Sequence, residues 1–307
     1  MREVIRIRRP NGPVLRQNKW EDVEYLTFPK LEETGIVEHL FTTRLGGVSE
    51  GMYASMSLKF DIGDDPERVL ENYRRIGEIL HCDRDHMVAS HQTHTTNIRV
   101  VTEADAGKGV VRPRDYSDID GLVTDCPGLA LVTFYADCVP LYFVDPVKRV
   151  IGLAHSGWRG TVERMGACMV RKLQEEYACE PKNILVAIGP AICQECYEVS
   201  EEVACRFADL ESRMKEEKRT LLKSGIYDNF SNGKVCVPGE KPGKYQLDLW
   251  LANALILCEA GICASRISIA DICTCHNPDY LFSHRASMGK RGNLAAFLML
   301  KEECGRI

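Results

Sequence analysis

The chain has 307 residues, 45% hydrophobic and 27% charged, an ordinary balance for a globular protein with a sizeable core. A net charge of −5 argues against a general nucleic-acid-binding surface, and the longest uncharged apolar stretch, around residues 128–136, is far short of a membrane span. The N-terminal run Met1-Arg2-Glu3-Val4-Ile5-Arg6-Ile7-Arg8-Arg9 alternates charge with apolar residues, which reads as an edge strand and not a secretion signal, so a cytoplasmic location is expected.

The first clear element is a helix over residues 65–80. Asp65 suits the N-cap, Pro66 the first helical position, and Val69, Tyr73, Ile76 and Leu80 form an apolar face. A strand is expected over 88–101. Core strands follow over 129–134, 141–144 and 150–154. A helix is expected from Thr161, with Val162, Met165, Met169 and Leu173 at helical spacing. Residues 184–188 read as a buried strand, and Ser200 as a helix start. The polar, glycine-bearing stretch 215–244 reads as a surface excursion. Residues 248–260 read as a helix stopped by Gly261, and 293–300 as a terminal helix. This mixture, with at least one hairpin, predicts an α+β (mixed α/β) fold: a layered mixed sheet with flanking helices. No composition break marks a boundary, so residues 1–307 are expected to form one domain.

The hairpin carries the most chemistry. Counted outward from Pro146-Val147, Asp145 opposes Lys148, Phe143 opposes Val150, and Cys138 opposes His155. Directly opposed Cβ atoms lie about 4.5–5.5 Å apart. That suits a thiolate and an imidazole on one metal ion, or a Cys/His nucleophile pair. His91 and His94 lie three apart; on a strand they face opposite sides, so only one can join a given site. His39 and His91 each read as polar residues satisfied at the surface. Beyond His155, Ser156-Gly157-Trp158-Arg159-Gly160 leads into the Thr161 helix as a ligand mouth, where free N–H groups and Arg159 would meet an anion. Trp158 would either stack on a planar ring or lid the core. Arg44 and Gly47, in Thr43-Arg44-Leu45-Gly46-Gly47, form a second turn that taken alone reads as a plain β-turn. Asp120, Asp125 and Asp137 offer acid or base chemistry, or simply turns.

Fourteen cysteines without a secretion signal do not predict a disulfide scaffold. Cys168, Cys205, Cys258 and Cys263 read as small core residues. Cys193-Gln194-Glu195-Cys196 and Cys273-Thr274-Cys275-His276 offer metal or redox pairs, although neither repeats as a zinc ribbon.

Together these segments resemble the YfiH family, also described as laccase-like polyphenol oxidases, peptidoglycan editing factors or purine nucleoside phosphorylases. The resemblance runs from about Phe41 to Leu300. It rests on Thr43-Arg44-Leu45-Gly46-Gly47-Val48-Ser49, Gly63-Asp64-Asp65-Pro66, His91-Gln92-Thr93-His94, Asp120-Gly121-Leu122-Val123-Thr124, Ala136-Asp137-Cys138-Val139-Pro140, His155-Ser156-Gly157-Trp158-Arg159-Gly160, Ile188-Gly189-Pro190, Cys273-Thr274 and Phe282-Ser283-His284-Arg285. It implies a YfiH/CNF-like fold and a metal site, usually zinc, at His94, Cys138 and His155, which would also be the catalytic residues. Three protein ligands with an open fourth position describe a catalytic zinc. Substrate contacts are expected from Arg44, Gly47, Trp158, Arg159 and Arg285. Two motifs depart from the family pattern at three positions: Thr95 replaces a usual glycine, and His284 and Ala286 replace the tyrosine and second arginine of Phe-Ser-Tyr-Arg-Arg.

The resemblance implies three activities. The first is purine nucleoside chemistry: phosphorolysis of adenosine, inosine or methylthioadenosine, and deamination of adenosine, with phosphate as partner and Asp137 a guess for the acid. The second is editing of a peptidoglycan precursor by a hydrolase or amidase at the same Cys/His site. The third, copper-dependent polyphenol oxidation, is disfavoured because no His-x-His pair occurs; Cu2+ could still occupy such ligands in place of Zn2+. Oligomeric state is not legible.

Overall fold

The apolar segments form two stacked six-stranded sheets in the computed structural model, which describes residues 1–7, 12–225 and 233–302. The first sheet runs β1 (Arg16–Trp20), β2 (Val23–Thr27), β3 (Val37–Thr42), β15 (Leu294–Leu300), β7 (Ala130–Tyr135), β4 (Met87–Ala89). The second runs β14 (Ile267–Ile269), β10 (Leu185–Ile188), β8 (Val139–Asp145), β9 (Val150–Ser156), β6 (Gly121–Thr124), β5 (Ile98–Val100). A small third sheet joins β11 (Glu198–Ser200), β13 (Lys244–Leu247) and β12 (Cys236–Pro238). The pairs β4–β7, β5–β6 and β10–β14 are parallel, and β8–β9 is antiparallel. This is the expected layered mixed architecture. The helices are α1 (Pro29–Glu32), α2 (Pro66–Leu80), α3 (Trp158–Val162), α4 (Met165–Tyr177), α5 (Glu201–Arg213), α6 (Lys215–Lys223) and α7 (Leu249–Glu259).

Helix α2 forms as its sequence predicts. Asp65 accepts from the Glu67 N–H, and Val69, Tyr73, Ile76 and Leu80 are buried. They pack with Phe134, Phe297 and Met299 on one face of the first sheet. The opposite face, including Leu131, Leu294 and Leu298, joins the main core between the sheets. Helices α4 and α7 cover the second sheet, and α7 is buried from Leu249 to Leu257 behind an Asp248 cap.

Several expectations need correction. Residues 293–300 are not a terminal helix but β15, a central strand between β3 and β7. A strand covered on both faces is a continuous apolar run, which periodicity cannot separate from a buried helix. The 88–101 strand is two short strands, β4 and β5, around a loop. The helix placed at Thr161 begins at Trp158, breaks at Arg164, whose φ is 66°, and resumes as α4. The 215–244 excursion holds α6 and β12 among its described residues. The N-terminal edge strand reduces to one bridge, Arg6 to Ile272; Arg8 and Arg9 lie outside the described residues. Cys205 and Cys263 are exposed, and Cys168 and Cys258 half-buried, so none of the four is a fully buried core residue. His39 is buried, not at the surface.

Candidate metal centre

The hairpin register differs from the expected one by two residues. Asp145 pairs with Val150 and Pro140 with His155. The turn therefore has four residues, 146–149, closed by Asp145 Oδ1 accepting from the Val147 and Lys148 N–H groups at 2.9 and 3.0 Å. A two-residue shift preserves the face each side chain occupies, because strand side chains alternate with period two. Cys138, just before β8, therefore stays on the face of His155, diagonal to it instead of opposite.

His94 completes the group from the loop between β4 and β5, at a φ of 68°. The ligand atoms of His94, Cys138 and His155 all lie within 4.8 Å of one another. The two imidazole rings meet edge-on, with centroids 5.0 Å apart. The loop, not strand alternation, separates His91 from this group. His91 is half-buried and accepts from the Asp118 N–H at 3.2 Å.

Asp120 organises the centre. Its Oδ1 lies 2.8 Å from His155 Nδ1 and accepts from the His94 N–H at 3.1 Å. Its Oδ2 accepts from the Thr93 and Thr95 N–H groups and from the Thr95 hydroxyl. Thr95, one of the three departures from the family pattern, thus adds a hydroxyl bond to the carboxylate that shapes the ligand loop. With Nδ1 committed to Asp120, His155 presents Nε2 to the cluster, the usual second-sphere arrangement for a metal-bound histidine.

Electrostatics favour a ligating sulfur. Burial pushes the Cys138 thiol up, but His155 and His94 beside it outweigh burial and bring it down to about 6. Burial pushes His155 down, but Cys138 and Asp120 raise it to about 9. Burial likewise opposes ionisation of Asp120, yet its bonds to His155 and the loop amides hold it below its ordinary value. Without metal, the site is a thiolate–imidazolium pair backed by a carboxylate. The donor set of two imidazoles and one thiolate fits a zinc- or copper-type ion with a position open. Gly157 supports that fit: a Cβ there would lie 2.9 Å from Cys138 Sγ and 3.1 Å from His94 Cδ2, closing the space beside the ligands.

The centre opens into a cavity of ≈ 420 Å³. Larger depressions of ≈ 560 and ≈ 620 Å³ lie around His81, Cys82 and Asp83, away from the triad. The triad's cavity has aromatic walls at Phe134, Trp158 and Tyr197 and three cations at Lys59, Arg285 and Arg291. Burial first, then Arg291, lowers the Lys59 ammonium, and burial lowers the Arg291 guanidinium. Arg291 Nε is buried without a hydrogen-bond partner.

Of the residues expected to contact substrate, Trp158 and Arg285 line this cavity, whereas Arg44, Gly47 and Arg159 do not. Arg44 bonds the carbonyls of Ala54 and Pro278 and stacks 4.7 Å over Phe282. A Cβ on Gly47 would meet Ser55 O at 2.2 Å, so its glycine serves chain packing. Arg159 is exposed and lies 4.3 Å over the Trp158 ring. Asp137, the guess for an acid, accepts from the Thr274 hydroxyl at 2.6 Å and from the Arg285 N–H at 2.7 Å. Both its oxygens fasten neighbouring loops. Lys59, Arg291, Tyr197 and Gly157 were not singled out from sequence as contacts; only Gly157 lay inside a motif.

Comparison with known proteins places the chain among named relatives. A family model described as "Multi-copper polyphenol oxidoreductase laccase" matches residues 38–301. The purine nucleoside phosphorylase YlmD of Bacillus subtilis is 34% identical over 266 residues, covering 85% of this chain and 88% of that protein. Adenosine deaminase RL5, from an unknown prokaryotic organism, is 29% identical over 266 residues, covering 86% and 94%. The crystal structure of YlmD from Geobacillus stearothermophilus superposes with a TM-score of 0.79 at 33% identity, covering 95% of this chain and all of that one. The chain therefore belongs to the multi-copper polyphenol oxidoreductase laccase family, the YfiH family that its motifs resemble.

Proposed function

We propose that this protein is a zinc-dependent purine nucleoside enzyme, with His94, Cys138 and His155 as ligands, that phosphorolyses adenosine, inosine and methylthioadenosine and deaminates adenosine. The names of its relatives, purine nucleoside phosphorylase and adenosine deaminase, support the substrate class. The observation that carries the reading is the cavity: the triad opens between aromatic faces and the cations Lys59, Arg285 and Arg291. A purine fits the aromatic faces, and phosphate fits the cations.

In phosphorolysis a phosphate oxygen bonds to ribose C1′ as the C1′–N9 bond breaks and its electron pair leaves with the purine. In deamination water adds at C6 and ammonia leaves. A bound zinc ion would supply Lewis acidity at its open position. The cations hold the anionic partner, while Asp120 orients His155 and the His94 loop. Gln92 anchors that loop by exchanging bonds with the Phe134 backbone at 2.7 and 2.8 Å. A cytoplasmic location belongs to the same proposal, in keeping with free thiols at the described cysteines.

A second reading has one observation in its favour. The Cys138 thiolate, His155 and Asp120 are in the order of a cysteine amidase, which suits editing of a peptidoglycan precursor. Multi-copper oxidation has no such support: among the described residues neither metal-capable cluster has more than two histidines.

Product chromatography separates these readings. Zinc-replete protein is incubated with adenosine, with and without phosphate, beside Cys138→Ala. Phosphate-dependent adenine release or inosine formation, absent in the variant, is expected. Metal-loaded protein that makes neither product would sink the nucleoside reading and turn the test to a muropeptide nucleotide.

A further inference from the structure

We propose that Cys193, Cys196, Cys273 and His276 form a second metal site, a closed Cys3His centre that holds zinc structurally. The site shares no residue with the His94/Cys138/His155 group and does not depend on the nucleoside reading. Its ligands come as two pairs with the same spacing, Cys193-x-x-Cys196 and Cys273-x-x-His276. Each pair follows one of two neighbouring parallel strands, β10 and β14. Parallel strands end at the same sheet edge, so the loops meet, joined by a bridge between Ala191 and Cys273.

The four ligand atoms lie within 4.8 Å of one another. A tetrahedral ion with bonds of about 2.0–2.3 Å needs ligand separations of roughly 3.5–3.8 Å, a small contraction from this arrangement. Cys193 Sγ is already 3.7 Å from His276 Nδ1. The other ring nitrogen, Nε2, lies 3.8 Å from Glu195 Oε2, where a carboxylate would orient a ligating imidazole. The Cys193 N–H donates to Cys273 Sγ at 3.2 Å, which favours a thiolate on that sulfur. Cys193 and Cys273 are buried. Four protein donors with no open position make a structural centre, not a catalytic one.

The position also gives the ion a task. Arg285 donates to the Cys196 carbonyl at 3.0 Å, and Thr274 donates to Asp137, the neighbour of Cys138. Tyr197 follows Cys196 and lines the cavity. Zinc here would brace the loops that carry Tyr197 and Arg285 into the cavity wall. A disulfide among the three sulfurs is the competing outcome; it would need an oxidant and leaves His276 and Glu195 without a part.

The test is zinc counting on the full chain purified under reducing conditions. The wild type should carry two zinc ions, and Cys138→Ala and the double variant Cys193→Ser/His276→Ala one each. Cobalt(II) in Cys138→Ala should give thiolate-to-metal absorption about threefold stronger than in the double variant, from three thiolates against one. Cys138→Ala free of zinc overturns the proposal even if the double variant does not fold. So does a double variant that retains both ions, or a native disulfide mapped by mass spectrometry to any two of Cys193, Cys196 and Cys273. A Cys138→Ala protein that keeps all the zinc of a one-zinc wild type instead removes the first centre and leaves the second standing.

Discussion

Asp120 Oδ1 lies 2.8 Å from His155 Nδ1, and the two side chains are 0% and 4% exposed. A carboxylate so placed sets the tautomer of the imidazole and raises its basicity toward a metal. Replacing it with asparagine keeps the volume and removes the charge. Asp120→Asn should weaken metal binding by about 10–100-fold, the usual range for such partners. Competition against a chromophoric chelator measures this; an unchanged affinity would remove Asp120 from the centre.

Gly157 tests the space beside the ligands. Its φ of −73° is ordinary, so alanine adds no backbone strain. The new methyl would lie 2.9 Å from Cys138 Sγ. Gly157→Ala should lose most of the metal from this centre while its metal-free form keeps the wild-type circular dichroism spectrum. Full metal occupancy in the variant would show that the ligands have room the geometry does not provide.

Arg291 separates the two proposed reactions. Its guanidinium lines the cavity with Nε unpartnered. A charge-assisted bond to phosphate contributes about 1.5–3 kcal/mol, which is about 10–100-fold in affinity. Arg291→Ala should raise KM for phosphate by that factor and change adenosine deamination far less. Equal losses in both reactions would argue against a phosphate contact.

His39 sets an acid limit on stability. Burial, then Lys301, lowers it from 6.5 to about 3, and Nε2 accepts from the Phe28 N–H at 2.8 Å. The folded state holds this imidazole neutral, whereas the unfolded chain protonates it near its ordinary value. Its stability contribution is therefore complete above about pH 6.5 and is lost as pH falls toward 3. At pH 5 the loss is about 2 kcal/mol. Denaturant midpoints of metal-free wild type and His39→Gln, compared at pH 7.5 and 5, should show a smaller acid loss in the variant. Parallel losses would assign the acid sensitivity to other groups.

The hairpin shows how far local pattern reaches. Alternation placed Cys138 and His155 on one face, and that survived a turn two residues longer than expected. Alternation carries no record of turn length, so direct opposition became a diagonal. Strand β15 shows the opposite limit. Phe297 and Met299 face α2 while Leu298 faces the second sheet, so both faces are apolar and the period disappears. The loop at His94 was hidden for another reason. Its shape follows from three backbone N–H groups bonding to Asp120, some 25 to 27 residues away.

By itself, the sequence determined the helix at residues 66–80, the layered mixed class, the family motifs and the identity of the three candidate ligands. Capping and periodicity carry the helix and the class, one hairpin carries Cys138 and His155, and the resemblance to the family implied His94. Only the tertiary structure decided that Asp120 holds both histidines, that Arg44 and Arg159 stay outside the cavity, and that Lys59 and Arg291 enter it. It also brought Cys193, Cys196, Cys273 and His276 together from positions up to 83 residues apart. The reason is physical: strand pairing and sheet stacking bring these groups together over distances at which no periodicity within either segment records the other.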